Sequence, residues 1–547
     1  MKASVLFVKS LESAGVKYIF GLPGEENLAL LDAIRKSSIR FITTRDEQAA
    51  VFMAATVGRL TGKVGVALST LGPGATNLVT GVAYAQLGAM PLLVITGQKP
   101  IKKSKQGKFQ VIDVVGMMKP ITKMAVTIIS ADRIPTTVYQ AVRMAELERP
   151  GAVHIELPED IAEEESDSEP IILERVRRPI PDQKIIDKVL QAVETAKSPV
   201  IVIGASANRK LVRNQLRSFI NKTGIPFATT QMGKGVEDES SDLYIGTTAL
   251  SDQDYVHAAL DKADLLIMVG HDIVEKPPTL AHKHKKYIHI NFYPADIDEV
   301  YSPNIEVVGD ISHSLWAMTE QIKLQPWDSE SLLAYRKPLL KDISSKDSNL
   351  EFPIKPQRFV SDLRKVMPKD GILSLDNGMY KLWLARNYPA YEQNSVLLDN
   401  ALATMGAGLP VGMAAKLLNH DKKVIVVAGD GGFVMNLADL ATAKELKLDL
   451  VIIVLKDNGY GMIKWKQGDM NLADFGLDFT NPDFVKLAES FGATGIRIDR
   501  TEDFVPTLKT AMNSPGIHII DLPIDYSENK QLSHSKLKAK IESEKEH

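Results

Sequence analysis

Short apolar runs alternate with amphipathic stretches along most of this chain. The runs that we interpret as strands lie at 41–44, 64–68, 91–96, 199–204, 265–270, 287–291, 371–376, 423–429, 450–456 and 516–522. Continuous apolar runs of this length are typical of strands buried on both faces of a parallel sheet. The stretches between them, such as 75–87, have helical spacing. The pattern therefore predicts doubly wound α/β folding.

Polar and charged stretches divide this pattern into three blocks. The blocks span 1–165, 183–330 and 357–530, with an acidic linker at 163–178, a polar connector at about 325–356 and a lysine- and glutamate-rich tail at 531–547. A length of 547 residues suits three domains, because one domain takes about 100–200 residues. We predict three doubly wound parallel-sheet domains, followed by a tail that has little to bury and is mobile.

The first and third blocks resemble each other. In the first block a strand leads into Gly72-Pro73-Gly74, then a helix and another strand. In the third block a strand leads into the turn 429–431, again followed by a helix and a strand. This similarity predicts a duplicated α/β domain on either side of a different middle domain.

Composition narrows the classes of function. The formal net charge is -3 and the chain has 0 cysteines. Without a basic face, nucleic acid and anionic membranes are poor partners. The missing thiols exclude disulfides, cysteine-bound zinc, iron–sulfur clusters and a thiol nucleophile. No apolar run could span a bilayer and no signal peptide opens the chain, so we predict a cytoplasmic protein.

One turn of the third block points to chemistry. Gly429-Asp430-Gly431 follows a predicted strand, and Asp457 follows the next strand. The glycines allow backbone amides to approach an anion, and we expect a helix to start just after Gly432. Neighbouring parallel strands end side by side, so the two carboxylates can converge on one cation. Oxygen ligands of this kind suit Mg²⁺ bound to a diphosphate.

Simpler interpretations of these residues exist. Each motif alone could be a tight turn or a loop, because turns favour glycine, aspartate and asparagine. An ATP-binding P-loop requires Lys-Ser or Lys-Thr after the glycines, whereas Gly432-Phe433 follows here. The joint placement of both motifs after consecutive strands favours the magnesium–diphosphate interpretation.

Further motifs occur in a familiar order. They are Phe20-Gly21-Leu22-Pro23-Gly24, Arg45-Asp46-Glu47-Gln48-Ala49, Gly72-Pro73-Gly74-Ala75-Thr76-Asn77, Phe109-Gln110, Thr404-Met405-Gly406-Ala407-Gly408-Leu409-Pro410, the turns at 430 and 457, and Gly461-Met462. Together they resemble the acetolactate synthases among the thiamine-diphosphate enzymes, from the first residue to about residue 525. The resemblance implies a pyrimidine-binding, a central and a diphosphate-binding domain.

The resemblance implies roles for single residues. Glu47 matches the carboxyl group that bonds to ring N1′ of thiamine diphosphate and so promotes ylid formation, although a glutamate in a first helical turn can also serve the helix dipole alone. Met405 matches the apolar residue that holds the cofactor bent. The carbonyl of Ala403 matches the contact to the 4′-amino group. Gly21 matches a backbone donor near the substrate oxygen.

The remaining implied contacts fall into three groups. The substrate side is Phe109, Gln110 and Trp465; the metal ligands are Asp430, Asp457 and the carbonyl of Gly459; further cofactor contacts are Gly378, Met379, Tyr380, Gly431, Gly432, Tyr460, Gly461 and Met462. In the family, Glu47 and the diphosphate-binding turns that serve one cofactor come from different chains. The resemblance therefore implies a homodimer or homotetramer.

Departures from the family pattern refine the comparison. Residue 46 is Asp where the family has His, and Asp457 stands where biosynthetic acetolactate synthases have Asn. Lys466 takes the position of a tryptophan that favours 2-ketobutyrate, while Trp465 lies one residue earlier. The segment 270–278 lacks the Arg-Phe-Asp-Asp pattern that meets FAD. These features resemble the catabolic, FAD-independent type, which argues against FAD but leaves it open.

The implied reaction is acetolactate synthesis. Pyruvate is decarboxylated on thiamine diphosphate, and the hydroxyethyl carbanion is ligated to a second pyruvate to give 2-acetolactate and CO₂. Alternatives are another 2-keto acid decarboxylase or carboligase, a flavin-dependent pyruvate oxidase and a non-catalytic cofactor-binding paralogue. No adjacent His-His pair of the pyruvate decarboxylase kind occurs. Whether the product serves branched-chain amino acids or acetoin stays open.

Overall fold

The computed structural model describes residues 1–102, 107–172, 174, 177–250, 254–275, 285–532 and 534–545. The chain forms two compact units. The first unit is Met1–Val176 together with Ala401–Asp421 and Val434–Leu448, and the second is Arg177–Asn400, Lys422–Phe433 and Asp449–His547. Among the described residues, no helix is both long and apolar enough to cross a membrane.

The N-terminal part of the first unit is a parallel sheet with its helices. The strands are β1 Tyr18–Gly21, β2 Arg40–Thr43, β3 Gly65–Ser69, β4 Leu92–Gln98, β5 Met124–Thr127 and β6 Ala152–Pro158. The helices are α1 Ala3–Ser13, α2 Leu28–Arg35, α3 Glu47–Thr61, α4 Pro73–Asn77, α5 Val79–Leu87, α6 Val114–Met118, α7 Ile134–Glu146 and α8 Glu159–Ala162. β4 and β6 are buried along their whole length, as continuous apolar runs predict.

The central region, in the second unit, contains a second parallel sheet. Its strands are β7 Pro199–Ile203, β8 Phe227–Thr230, β9 Tyr244–Thr248, β10 Leu265–Val269, β11 Lys286–Asn291 and β12 Ile305–Val308. Its helices are α9 Gln183–Thr195, α10 Lys210–Thr223, α11 Tyr255–Lys262, α12 Ile311–Gln321, α13 Glu330–Leu333 and α14 Arg336–Ser344. The last two lie in the segment that we predicted as a connector.

The C-terminal region adds a third parallel sheet. Its strands are β13 Ile372–Leu375, β14 Val396–Leu397, β15 Val424–Gly429, β16 Leu450–Lys456, β17 Thr494–Arg497 and β18 Ile517–Pro523. Its helices are α15 Pro356–Val366, α16 Met379–Asn387, α17 Gly408–Leu418, α18 Asp430–Met435, α19 Leu440–Glu445, α20 Gly461–Asp469, α21 Phe484–Ser490, α22 Phe504–Asn513 and α23 His534–Lys545. Within the first unit, α17 packs against α3.

The strand orders show which sheets are alike. The first sheet has the order β2-β1-β3-β4-β6-β5, and the third has β14-β13-β15-β16-β18-β17, which is the same arrangement. The central sheet instead has the order β12-β11-β10-β7-β8-β9, the arrangement of dinucleotide-binding folds. Every pairing between these strands is parallel. The predicted fold class is therefore confirmed, including the likeness of the flanking sheets.

Three local details differ from the sequence-based expectation. The helix expected at 75–87 is two helices, α4 and α5. Helix α18 begins at Asp430 rather than after Gly432, so the aspartate belongs to the first helical turn. Most of the tail that we expected to have little to bury forms α23, in which Leu537 and Ile541 are buried. These two apolar residues are four positions apart and share one helical face, which a count of lysine and glutamate conceals.

A buried ion pair joins elements of the second unit. The Arg386 guanidinium on α16 donates to the Asp254 carboxylate at 2.8 and 3.0 Å, and to Asp342 on α14 at 2.9 Å. The side chains of Arg386 and Asp254 are only 2% and 1% exposed. The charges of Arg386 and Asp254 thereby neutralise each other in a region that excludes water. Loss of either residue leaves the other as a buried charge without a counter-charge.

Replacement of Arg386 by alanine should destabilise the fold. Arg386→Ala leaves the buried Asp254 carboxylate without its cation, which costs about 3–5 kcal/mol. The half-buried Asp342 keeps its ion pair with Lys540. Chemical denaturation followed by tryptophan fluorescence should show an earlier midpoint. The control is Arg500→Ala, because Arg500 pairs with Glu502 at 3.6 Å and is 67% exposed, so its loss costs less than about 1 kcal/mol. Equal midpoints for both variants would contradict this account.

Candidate active site

Two aspartates stand at the carboxyl edge of the third sheet. β15 and β16 are neighbours, with Gly429 opposite Leu455. Asp430 therefore follows one strand end and Asp457 follows the next, as the sequence predicts. Asp430 is almost completely buried, with 1% exposure. The edge thus brings the two predicted carboxylate ligands to neighbouring turns.

Hydrogen bonds fix the orientation of the Asp430 side chain. Its Oδ1 accepts from the Gly431 amide at 2.9 Å. Its Oδ2 accepts from the Asn458 amide at 2.7 Å and from the Asn481 side chain at 2.8 Å. A carboxylate held by several amide donors keeps one orientation without a ligand.

The two carboxylates repel each other. Burial, and then the negative charge of Asp430, raises the pKa of Asp457 to about 7. Burial likewise raises the pKa of Asp430, against the lowering effect of its amide donors. A divalent cation between them would supply the missing positive charge. Among the described residues no group of three or more His, Asp or Glu side chains could hold a metal ion, so a cation here also needs backbone and ligand oxygens.

Glycines keep this edge open. A Cβ at Gly461 would lie 2.7 Å from Oδ2 of Asp457, and a Cβ at Gly432 would lie 2.5 Å from Oδ2 of Asp376. At Gly431 the ring atoms of Tyr460 would be 2.9 Å away. Any side chain at these positions would displace the acidic groups or the aromatic ring, so the space beside the carboxylates depends on glycine.

A short segment after α20 closes over the second turn. Gly459 forms an antiparallel bridge with Asp478. The Tyr460 amide donates to the Leu477 carbonyl at 3.2 Å, and the Phe479 amide donates to the Asn458 carbonyl at 3.1 Å. We call residues 477–481 the strap. It holds the turn that carries Asp457 and the Gly459 carbonyl.

The other predicted cofactor contacts of the second unit lie on α16 and α20. Met379 and Tyr380 are buried just after Gly378, and a Cβ on Gly429 would lie 3.1 Å from the Tyr380 ring. The residues of α20, which include Met462 and Trp465, are half-buried or exposed. These two groups therefore differ: α16 is part of the core, whereas α20 presents its side chains outward.

Lys466 extends over the predicted substrate-side residue of α20. Its ammonium lies 4.8 Å from the centre of the Trp465 ring, a cation–π distance. The residue that replaces the family tryptophan is thus a cation held beside an aromatic ring.

Glu47 occupies the first turn of α3 in the first unit. Asp46 caps this helix by accepting from the Gln48 amide at 2.7 Å, which gives the residue that departs from the family pattern a structural task. Glu47 is 9% exposed, and its Oε2 accepts from Asn77 Nδ2 at 3.0 Å. A Cβ at Gly74 would lie 3.2 Å from its Oε1. The carboxyl group is therefore buried and held by an amide.

The predicted substrate-side residues of the first unit lie at the end of β1, which is Gly21, and on the loop that bears Phe109 and Gln110. A Cβ at Gly21 would lie 1.9 Å from the Leu68 carbonyl oxygen, so only glycine fits there. Gln110 is exposed, and its backbone lies against Gly72, where a Cβ would be 2.9 Å from the Gln110 carbonyl oxygen. Phe109 is 63% exposed. Gln110 thus approaches the turn at Gly72 that leads into α4, and Gly74 of α4 lies against Glu47.

Three residues at or beside the predicted site have a left-handed backbone. The φ angles are 56° at Ala403, 58° at Gln110 and 57° at Asn458. Non-glycine residues pay for this conformation, and such strain concentrates at functional sites. Met405, two residues after Ala403, is half-buried, and the Gly406 carbonyl that follows accepts from Asn436 at 2.8 Å.

The two units collect different parts of the predicted site. The first contains Glu47, Gly21, Phe109, Gln110, Ala403 and Met405; the second contains Gly378, Met379, Tyr380, Asp430, Gly431, Gly432, Asp457, Gly459, Tyr460, Gly461, Met462 and Trp465. We predicted no role for Asn77, although it ends the motif that begins at Gly72, and none for Asn481. Asn481 follows no strand and no glycine turn, so no local pattern signals it.

Family comparisons cover all three regions. Residues 1–117 match the N-terminal TPP binding domain of thiamine pyrophosphate enzymes, residues 186–318 match the central domain, and residues 376–522 match the C-terminal TPP binding domain. The first span includes Glu47 at the start of α3, and the third includes the turns that carry Asp430 and Asp457.

Several curated proteins are similar over nearly their whole length. A catabolic acetolactate synthase of Raoultella terrigena is 33% identical, covering 96% of this chain and 95% of its own. An acetolactate synthase of Bacillus subtilis is 31% identical over 98% and 95%. A probable acetolactate synthase large subunit of Methanocaldococcus jannaschii is 36% identical over 96% and 93%.

The glycine at 461 offers a test of the aspartate turns. Gly461→Ala should push the Asp457 carboxylate out of place and raise the Mg²⁺ concentration needed for thiamine diphosphate binding by at least about tenfold. Calorimetric titration measures this. The control is Gly468→Ala on the same helix, where a Cβ meets nothing within 4 Å. The same Mg²⁺ requirement in both variants would refute the assignment.

Proposed function

This chain belongs to the thiamine pyrophosphate enzyme family, and on that basis we propose that it is an acetolactate synthase. It would convert two molecules of pyruvate into 2-acetolactate and CO₂. Two relatives that cover almost the whole chain carry this name, which favours the carboligase over the other 2-keto acid decarboxylases. The presence of Glu47, Asp430 and Asp457 argues against a non-catalytic paralogue.

The observation that carries the proposal is the pair of carboxylates at one sheet edge, of which Asp430 is buried and Asp457 is half-buried. Asp430 and Asp457, with the carbonyl of Gly459, would hold Mg²⁺, and the glycines around them leave room for a diphosphate. The donor set is all oxygen, which suits Mg²⁺, and the ion would take its remaining ligands from the diphosphate and water. The strap keeps these groups in place.

Thiamine diphosphate, when bound, supplies the carbanion chemistry of decarboxylation and ligation. The protein's residues bind and orient it and manage protons. Glu47 would share a proton with the pyrimidine ring, and the Asn77 amide, donating to Oε2, leaves Oε1 for that contact. Met405 would support the ring, and the carbonyl of Ala403, whose backbone is left-handed, would accept from the 4′-amino group.

Pyruvate is the proposed acceptor as well as the donor. Trp465 and Lys466 differ from the arrangement that favours 2-ketobutyrate, and Lys466 brings a positive charge to α20. We expect no strong preference for 2-ketobutyrate. The Gln110 loop and the end of β1 at Gly21 would face the reacting keto acids, and exclusion of water there would favour attack on a keto acid over protonation.

We further propose that FAD is not required. The segment 270–275 reads Gly-His-Asp-Ile-Val-Glu and lacks the Arg-Phe-Asp-Asp pattern, while 276–278 lie outside the described residues. In the central region, a Cβ on Gly204 would lie 2.6 Å from the Gly270 carbonyl oxygen, so two loops already meet where the strand order reverses. The active form would be a homodimer or homotetramer in the cytoplasm.

The purified protein should make acetolactate from pyruvate. With Mg²⁺ and thiamine diphosphate we expect one CO₂ for each acetolactate, no dependence on added FAD, and a colourless protein. A mixture of pyruvate and 2-ketobutyrate should give both products without strong bias. Release of acetaldehyde alone would exclude the carboligase, and a yellow protein that consumes oxygen would favour a flavin-dependent oxidase.

Glu47→Gln should bind the cofactor but lose most turnover. An amide cannot share a proton as a carboxyl group does, and loss of such proton transfer costs about 10²–10⁴-fold in rate. Steady-state assays give kcat, and calorimetry gives cofactor affinity. The matched control is Glu330→Gln, an exposed glutamate in the first turn of α13, which should retain activity. Unchanged turnover of Glu47→Gln would reduce that residue to a helix-terminal acid.

A further inference from the structure

We propose that Asn481 is a positioning residue that selects which oxygen of Asp430 binds the metal ion. This inference rests on the proposed function, since it concerns the Mg²⁺ and thiamine diphosphate assigned to the aspartate turns. Asn481 lies at the end of the strap and is 51 residues beyond Asp430 in the chain.

Counting hydrogen bonds on Asp430 identifies the free position. A carboxylate offers about four lone-pair sites, two on each oxygen. Oδ2 accepts from the Asn458 amide at 2.7 Å and from Asn481 Nδ2 at 2.8 Å. Among the described residues, Oδ1 accepts from the Gly431 amide at 2.9 Å, and the Asp457 amide also lies near this carboxylate. Because Oδ2 accepts from two donors at 2.7 and 2.8 Å, Oδ1 is the more open oxygen for a metal ion.

Asn481 also connects the two turns. The same Nδ2 donates to Asn458 Oδ1 at 2.9 Å, so its two N–H groups serve Asp430 and Asn458. Rotating the amide by half a turn would face its oxygen toward two other oxygens, which fixes the assignment of N and O. One side chain thereby sets the spacing between the turn of Asp430 and the turn of Asp457.

The strap holds Asn481 in place before any ligand arrives. Its backbone pairs with the second turn through Gly459 and Asp478, and the Phe479 ring packs against Tyr460 with centres 5.0 Å apart. The Asn458 backbone is left-handed, a conformation that asparagine tolerates better than most residues. The metal ligand is therefore oriented in advance, so less ordering is required when the ion binds.

The test compares metal affinity with turnover. Asn481→Leu keeps the volume and removes both donors, and Asn481→Ala removes both donors and volume. Mg²⁺ is titrated into apoprotein with excess thiamine diphosphate and followed by calorimetry, with Mn²⁺ and paramagnetic resonance as a second readout. We expect half-saturating concentrations about 10–100-fold above wild type, with kcat at saturating Mg²⁺ within about threefold and the KM for pyruvate unchanged.

The control is Asn513→Ala, because within the described part of the chain Asn513 donates only to the Lys509 carbonyl of its own helix, at 2.9 Å. A wild-type protein that does not take up Mg²⁺ and thiamine diphosphate would refute the proposed function itself. Normal uptake by wild type, with Asn481→Leu equal to Asn513→Ala, would overturn the inference alone, as would loss of kcat with unchanged metal affinity.

Thermal unfolding of the apoproteins checks that the variants fold. If Asn481→Leu melts early, Asn481→Ser takes over the test, since its hydroxyl retains one donor. Its half-saturating Mg²⁺ concentration should lie between those of wild type and Asn481→Ala. A value equal to that of wild type would show that the donors of Asn481 do not matter.

Discussion

Repulsion between two neighbouring carboxylates is the constraint on which the third sheet's edge depends. Asp430 and Asp457 follow adjacent strands, and each raises the cost of charging the other. Amide groups of Gly431, Asn458 and the strap residue Asn481 donate hydrogen bonds to the Asp430 carboxylate and partly stabilise its negative charge. Under the proposed function, a divalent cation would neutralise the remaining negative charge. The repulsion between the two carboxylates would therefore favour binding of that cation.

Close backbone approach is the second condition. At Gly21, Gly432 and Gly461 an added Cβ would overlap a carbonyl or carboxylate oxygen, so small residues are a requirement of packing. At Gln110, Ala403 and Asn458 the situation is reversed. Their backbone is left-handed although none of them is glycine, and glycine would adopt this conformation without strain. Both conditions occur where loops leave strand ends, which is where α/β folds place their chemistry.

The sequence predicts the long buried strands well and the loop contacts poorly. The strands predicted at 423–429 and 450–456 appear as β15 and β16, because apolar runs bounded by turns have one dominant interpretation. The two-residue strand β14 carries too little pattern to be predicted. The roles of Asn77 and Asn481 depend on contacts between distant segments. Helix α23 was not predicted, because only two apolar residues, Leu537 and Ile541, are buried in a segment that is otherwise mostly charged.

The first and third sheets have the same strand order, but the turns at matching positions carry different residues. After the third strand of each pattern stands a glycine-flanked turn, with Pro73 in one and Asp430 in the other. The turn with Pro73 lies beside Glu47, since a Cβ at Gly74 would be 3.2 Å from its carboxyl oxygen. Under the proposed function this turn carries no second acid that would draw a cation to Glu47, whereas the turn with Asp430 would hold a cation for the diphosphate. Two sheets with the same strand order would thus divide proton transfer from anion binding.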